Sequence, residues 1–256
     1  MQARIVGAGQ GARWLGGGWQ LFRAAPLGWL ALVFAYWLVM TIVSLVPYAG
    51  VVAAAVLVPA FSVGFMAAAR AAERGGRLEL ALLFDGLRNS PREQLTLGVV
   101  YFLSLGLVLG ATTLADDGAL ARWMLTGRRP EEEVMQSGDF FSALVAAVVL
   151  YLPVMMMFWF APPLAAWHGT GALKALFFSA AACVMNWRAF FAYAAVTVLV
   201  TLVFPFLVLS VLLLVSGGNL RVPVMSLLFP LLILLLPTLF ASFYVSYRDI
   251  FGMERP

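Results

Sequence analysis

The sequence of 256 residues is poor in the side chains that most often bind metals, with one cysteine, Cys183, and one histidine, His168. Zinc and haem sites need clusters of such residues, so we predict no metal and no cofactor. A single cysteine also cannot form a disulfide within the chain. There is neither a Walker motif nor a Gly-x-Ser-x-Gly elbow, and no set of residues has the pattern of a catalytic site. The sequence therefore predicts a protein that is not an enzyme.

Charged residues are also scarce, at 11% of the chain, whereas hydrophobic residues make up 63%. An ordinary soluble domain has about 25% charged residues. Six stretches contain no Asp, Glu, Lys, Arg or His, and each is long enough to cross a bilayer, which takes about 20 residues of helix. They cover residues 27–46, 49–69, 95–115, 140–164, 189–215 and 222–247. The sequence therefore predicts an all-α polytopic membrane protein with six transmembrane helices, which form a single membrane domain over residues 1–256.

The basic residues are distributed unevenly between the two sides of these spans. The two terminal segments and the connections 70–94 and 165–188 together contain 12 of the 16 Lys and Arg residues. Segments rich in Lys and Arg stay in the cytoplasm, so we expect both termini there and the acidic loop 116–139 outside. The basic residues are scattered singly, which favours membrane lipids over nucleic acid as partners.

Three short amphipathic segments precede alternate spans. Before the third span, Leu80, Leu83 and Phe84 share one helical face, and similar faces occur around Leu21 and Leu176. These segments are too short to span, so we expect elbow helices in the cytoplasmic interface. Their predicted ranges are 12–25, 77–89 and 171–183. The glycines within residues 7–11 do not fit a dinucleotide-binding loop, because no strand precedes them, and we interpret this stretch as a flexible lead-in to the first elbow.

The second spans of the first and third pairs share a spacing, whereas the middle pair has Pro153 and Trp159 but Leu164 where the arginine would stand. A phenylalanine follows a proline by six residues and an arginine follows it by eleven, at Pro59 and Arg70 and again at Pro237 and Arg248. We interpret the chain as three parallel repeats, each with one elbow helix and two spans. The alternative is a chance match between helices rich in Leu and Phe.

Four segments resemble an uncharacterised family of proteobacterial inner-membrane proteins: residues 18–23 (GWQLFR), 57–65 (LVPAFSVGF), 78–84 (LELALLF) and 246–251 (SYRDIF). That family is similar in pattern to the membrane domain of some glycerophosphodiester phosphodiesterases. The resemblance covers most of the chain and implies a location in the bacterial inner membrane. It transfers no active site, because the family has no agreed activity.

The candidate functional surface consists of polar and aromatic residues at the cytoplasmic ends of the spans and next to the elbows. These residues are Arg70, Asp85, Arg88, Asn186, Trp187, Arg188 and Arg248. One interpretation is a polar ring that contacts lipid head groups or a partner protein. The other is ordinary anchoring in the interface by Trp and Arg.

Two functions remain open. The first is a non-enzymatic inner-membrane protein that assists lipid organisation or the assembly of a membrane complex, with lipids and another membrane protein as partners. The alternative is a permease or lipid-translocating protein. No predicted span contains the acidic or basic residues that proton-driven transporters use. This absence disfavours a proton-driven pump but leaves open the passage of a neutral or lipidic substrate.

Overall fold

The computed structural model describes residues 3–215 and 224–252, and in the second range it describes side chains from residue 233 onward. All regular secondary structure in these ranges is helical. The helices are α1 Ala8–Ala24, α2 Pro26–Ser44, α3 Ala49–Glu73, a 3₁₀ turn Leu80–Phe84, α4 Asp85–Asn89, α5 Pro91–Asp116, α6 Ala119–Thr126, α7 Glu132–Met135, α8 Gly138–Phe158, α9 Ala161–His168, α10 Ala172–Met185, α11 Trp187–Val198, a π-helical turn Leu199–Val203, α12 Phe204–Val215 and α13 Val224–Phe251.

Five helical segments among the described residues are long and apolar enough to cross a membrane. They are Pro26–Ser44, Ala49–Glu73, Pro91–Asp116, Gly138–His168 and Trp187–Val215. The sixth predicted stretch, 222–247, begins outside the described residues and then coincides with α13. The predicted all-α polytopic membrane fold is confirmed, while the number of spans that can be counted here is five rather than six.

Short helices outside these segments lie where the elbows are expected. They are α1, the 3₁₀ turn with α4, and α10. Leu83 of the 3₁₀ turn is buried and packs against Gly64, and Phe84 lies edge-on to Phe61 with 5.8 Å between ring centroids. The Leu-Phe pair of this elbow therefore packs against α3. Placement of the elbows in the membrane interface stays a prediction, as does the threefold repeat.

The chain divides into two compact units. Unit 1 contains Met1–Ile42, Phe61–Asn89 and Ala181–Pro256, and unit 2 contains Val43–Ala60 and Ser90–Ala180. In unit 1, α1 packs lengthwise along α13 in the antiparallel direction, because Gln10 meets Asp249 while Gly18 meets Thr238 and Ser242. The same face of α1 also packs against α11, nearer its N-terminus, through Gly11 and the buried Trp14.

The interpretation of residues 7–11 as a flexible lead-in is wrong. Helix α1 begins at Ala8, and Gly11 is buried against the backbone of Ala189. A Cβ at Gly11 would collide with that backbone, and a Cβ at Gly18 would collide with the carbonyl of Thr238. Small residues allow helices to approach closely in membranes. These two glycines are therefore packing residues, and the glycine content of this segment does not indicate flexibility.

An aromatic cluster joins α2, α3 and α13 within unit 1. The Tyr36 ring lies 5.3 Å from both Phe61 and Phe65, and Phe65 stacks on Phe240 at 4.0 Å. Edge-on and stacked aromatic pairs add about 0.5–1.5 kcal/mol each to the burial of their surface. This cluster lies on the same helices whose ends carry Arg70 and Arg248.

Unit 2 contains a broken helix between α8 and α9. Pro162 and Pro163 cannot donate backbone hydrogen bonds, so the helix is interrupted at Trp159 and Phe160. The Ser179 hydroxyl accepts a hydrogen bond from the Phe160 amide at 2.8 Å and donates one to the Met156 carbonyl at 2.7 Å. The fully buried Gln94 amide donates to the Pro162 carbonyl at 2.9 Å. Ser179 thus links the Phe160 amide to the Met156 carbonyl across the break, as lipid surroundings require, and Gln94 adds a hydrogen bond to the first turn of α9.

The predicted outer loop 116–139 contains two short helices, α6 and α7. The buried Asp116 carboxylate accepts hydrogen bonds from the amides of Gly118 at 3.0 Å and Leu120 at 2.7 Å. Leu120 packs with Phe140 and Ala143 in a small apolar cluster. This loop is therefore a folded part of unit 2, and at least one of its acidic residues has a structural role.

Two glycines of α1 provide a matched test of the packing. Gly18→Ala is expected to lower the free energy of unfolding by about 1–3 kcal/mol, because the new methyl group overpacks the contact with α13. Gly16→Ala lies two residues away, where a Cβ meets nothing within 4 Å. That control is expected to gain up to about 1 kcal/mol from helix propensity. Titration with SDS in mixed micelles measures both, and equal effects would contradict the packing role of Gly18.

Candidate functional site

Arg248, a predicted site residue near the end of α13, is held by two carboxylates. Its Nη1 donates to Glu73 Oε1 at the end of α3, and its Nη2 lies 3.1 Å from Asp249 Oδ1. Glu73 Oε2 in turn accepts a hydrogen bond from the Tyr244 hydroxyl at 2.6 Å. The Arg248 guanidinium therefore bridges α3 and α13.

Helix α1 joins the same network through its first turns. The second oxygen of Asp249 accepts hydrogen bonds from Gln10 Nε2 at 2.5 Å and from the Trp14 indole at 3.1 Å. The side chains of Arg248 and Glu73 are 13% and 15% exposed, and that of Asp249 is 9% exposed. At this degree of burial, losing one partner costs far more than it does for a surface ion pair. The network therefore fixes the ends of three helices.

The two carboxylates of the network keep Arg248 charged. Burial lowers the pKa of Arg248, but the hydrogen bond and charge of Glu73, followed by those of Asp249, outweigh it and raise the pKa above its usual value. An arginine of this kind stays protonated and cannot act as a base. The positive charge of Arg70 also acts on Tyr244 and Tyr247. The guanidinium of Arg248 thus faces two carboxylates, an arrangement suited to holding helices together.

Asn186, another predicted contact, is buried and has a structural role. Its Oδ1 accepts from the Val6 amide at 2.8 Å, and its Nδ2 donates to the carbonyls of Arg4 at 3.1 Å and Ala182 at 2.9 Å. The Arg4 amide donates to the Ile250 carbonyl at 2.7 Å. Asn186 thus holds the segment that precedes α1 through its side-chain amide, and it is 1% exposed.

The other predicted residues lie at two further places in unit 1. Trp187 is 60% exposed, and the guanidinium of the exposed Arg188 lies 5.4 Å from the Trp187 ring centroid. On α4, Asp85 accepts a hydrogen bond from Asn89 at 2.9 Å, and Arg88 is exposed. The structure therefore brings Arg70 and Arg248 together around Tyr244, pairs Trp187 with Arg188, and places Asp85 and Arg88 on one short helix.

Sequence reasoning missed the residues that hold Arg248. Glu73, Asp249, Gln10, Trp14 and Tyr244 were not among the candidates, although all five belong to the network. A signal existed for two of them, because each of the matching helices ends with an arginine followed within three residues by an acid. The remaining three could be found only from the fold.

An apolar groove runs beside α1 in unit 1, with a volume of about 460 Å³. Its walls are formed by Leu15, Trp19, Val196, Val200, Leu234 and Leu235. Thr238 also lines it, but its hydroxyl donates to the Leu234 carbonyl at 2.8 Å. Val200 belongs to the π-helical turn, which lies where Pro205 cannot donate to the carbonyl four residues before it. The groove is thus almost entirely apolar.

A polar pocket of about 480 Å³ adjoins the groove. Gln10, Arg13, Gly17, Gln20, Val245 and Arg248 line it, and Ala12 and Gly16 line both cavities. Arg13 and Gln20 are exposed. One strip of α1 therefore separates an apolar cavity from a polar one that contains a basic side chain.

A double-mutant cycle tests the ion pair between Glu73 and Arg248. Glu73→Gln alone is expected to lower the free energy of unfolding by about 3 kcal/mol, because it leaves Arg248 with a buried charge only partly compensated. The double variant with Arg248→Gln is expected to lose little more free energy of unfolding than Glu73→Gln alone. Arg188→Gln is the exposed control and should cost less than about 0.5 kcal/mol. Additive losses in SDS titrations of the two single variants and the double variant would show that the pair does not couple.

Comparison with known proteins identifies one relative of the whole chain. A probable inner membrane protein of Burkholderia thailandensis is 36% identical over 262 aligned positions, which cover 100% of this chain and 96% of the relative. No family model matches the chain, and no solved structure matches it. The predicted location in an inner membrane is confirmed by this relative together with the long apolar helices. At this identity and coverage, the chain belongs to the same family of probable inner membrane proteins.

Proposed function

We propose that the protein is a non-enzymatic inner-membrane protein that binds membrane lipids and organises them around its helices. The observation that carries the proposal is the apolar groove between α1, α11 and α13. A cavity with these walls offers an acyl chain dispersion contacts and offers almost no hydrogen bonds to a polar solute. In a protein surrounded by lipid, acyl chains are the ligand present at highest concentration.

The exposed surface of the spans supports the same proposal. Phe206 is 69% exposed and Leu214 is 80% exposed on α12, which has no buried residue among those described. Helix interfaces in membranes favour small residues that allow close approach. The large side chains of α12 therefore favour contact with acyl chains over contact with another membrane helix. For this reason we place lipid organisation ahead of the assembly of a membrane complex.

A lipid-translocating protein or permease is the alternative, and the broken helix between α8 and α9 favours it. Discontinuous helices line the substrate sites of many transporters. Here Gln94 and Ser179 hydrogen-bond backbone groups at the break, and residues 161–165 are buried. A packed break of this kind supports a structural kink more than an open pathway, so translocation remains the second candidate.

Two further parts of the proposal concern family and orientation. The similarity in pattern to the membrane domain of glycerophosphodiester phosphodiesterases supports a lipid context, because glycerophosphodiesters derive from phospholipids.

The excess of basic residues in the terminal segments supports cytoplasmic termini, with loop 116–139 on the outer side.

Bound lipid provides the first test. Protein extracted in native nanodiscs is expected to be enriched in at least one class of phospholipid relative to the bulk membrane. The reason is that an acyl chain bound in the groove exchanges with bulk lipid more slowly than an unbound one. Lipid analysis of the purified discs, with native mass spectrometry in detergent, measures this. Lipid composition equal to that of the bulk membrane, together with bare protein in mild detergent, would contradict the proposal.

Cysteine labelling tests the orientation. Arg77 and Glu132 are exposed, in the connection after α3 and in α7. In cells with a permeabilised outer membrane, an impermeant maleimide is expected to label Glu132→Cys and to label Arg77→Cys only after lysis. The native Cys183 serves as an internal blank, because burial raises the pKa of its thiol to about 12 and it is 3% exposed. The reverse labelling pattern would place the termini outside.

A further inference from the structure

We propose that the apolar groove and the polar pocket form one binding site for an anionic phospholipid, with the phosphate at Arg13 and Gln20 and an acyl chain in the groove. This inference rests on the proposed function and names its site and ligand. Ala12 and Gly16 line both cavities, so a single molecule can occupy both. A ligand with a polar head joined to an apolar tail matches such a pair.

The helical geometry of α1 explains the division between the two cavities. Ala12, Gly16 and Trp19 form one row at the spacing i, i+4 and i+7, and this row borders the groove. Arg13, Gly17 and Gln20 form the next row around the helix, and it borders the polar pocket. Neighbouring rows of one helix therefore present an apolar strip and a polar strip side by side.

The charge balance favours an anionic ligand. Arg248 also lines the polar pocket, but its guanidinium already bonds to Glu73 and Asp249. Arg13 takes part in none of the hydrogen bonds or ion pairs among the described residues, so none of the described carboxylates pairs with its charge. Arginine binds phosphate oxygens through parallel hydrogen bonds, and the Gln20 amide can donate another. A head group with net negative charge would supply the missing counter-charge.

The identity of residue 16 supports a ligand in the groove. Glycine within a helix costs about 1 kcal/mol relative to alanine. At residue 18 this cost is offset by the close contact that glycine allows with α13. At residue 16 there is no such contact, because a Cβ there would meet nothing within 4 Å. Packing within unit 1 therefore gives no reason for glycine there. A groove that must stay open for an acyl chain gives one, and its volume of about 460 Å³ lies within the range of about 300–1,000 Å³ typical of ligand sites.

Binding of phosphatidylglycerol and phosphatidylethanolamine to delipidated protein, followed by native mass spectrometry, tests the site. Wild-type protein is expected to prefer phosphatidylglycerol by about fivefold, the equivalent of about 1 kcal/mol for one arginine. Arg13→Gln should abolish this preference, because it weakens phosphatidylglycerol more than phosphatidylethanolamine, whose ammonium group already offsets the phosphate charge. Gly16→Leu should weaken both lipids, because its side chain enters the groove. Arg23→Gln and Gly9→Leu change exposed positions of the same helix that line neither cavity, and they should bind like wild type.

A second measurement covers the case in which Gly16→Leu fails to fold. Brominated phosphatidylglycerol is expected to quench wild-type tryptophan fluorescence more than that of Trp19→Phe, because Trp19 lines the groove. Specific lipid binding that neither Arg13→Gln nor Gly16→Leu alters would place the lipid elsewhere, overturning this inference while leaving the proposed function intact. Loss of a co-purified protein in these variants, with lipid binding unchanged, would also overturn it. Absence of specific lipid binding in the wild type would overturn both.

Discussion

Unit 1 depends on the insertion of α1 between α11 and α13. The insertion is possible because Gly11 and Gly18 have no side chains where the backbones of Ala189 and Thr238 approach. In a membrane no hydrophobic effect drives helices together, so close van der Waals contact has to supply much of the association. The glycines make that contact possible and also bring Gln10 and Trp14 within hydrogen-bonding distance of Asp249. The polar network thus follows from the packing of α1.

The network pairs the charged side chains at the ends of these apolar helices. Arg248, Asp249 and Glu73 lie at the ends of apolar helices, where leaving any one charge unpaired would be costly. Pairing with Arg248 offsets part of the negative charge of the two carboxylates. It also means that Arg248, at the end of α13, holds parts of unit 1 together. Arg13, Arg88 and Arg188 are exposed and remain available to phosphate groups of lipids.

The sequence predicted the helical spans well because a span depends on local composition alone. An uncharged run of about 20 residues has to be a helix in lipid, whatever its neighbours are. The surroundings of Arg248 could not be predicted in this way, since Glu73 is 175 positions away and Gln10 is 239 positions from Asp249. The prediction of a flexible segment at residues 7–11 was wrong because glycine occurs both in flexible segments and at close helix contacts. Only the residues packed against the glycine distinguish these two cases. Asn186 was ambiguous for a similar reason. Its amide can bind a head group or a backbone, and the fold places the backbone of Arg4 and Val6 against it.

Helix α1 has a structural role on one face and borders the two cavities of the proposed lipid site on another. The row that contains Gly11, Trp14 and Gly18 is buried against two helices, which fixes the helix in position. The rows that contain Gly16 and Arg13 therefore border their cavities in a fixed geometry, so a lipid would not have to order them on binding. A helix that merely floated on the bilayer surface would lose that advantage, because its exposed arginine would meet head groups in many orientations. In the proposed lipid site, the packing of one face of α1 would thus be the physical reason that its other face distinguishes between lipids.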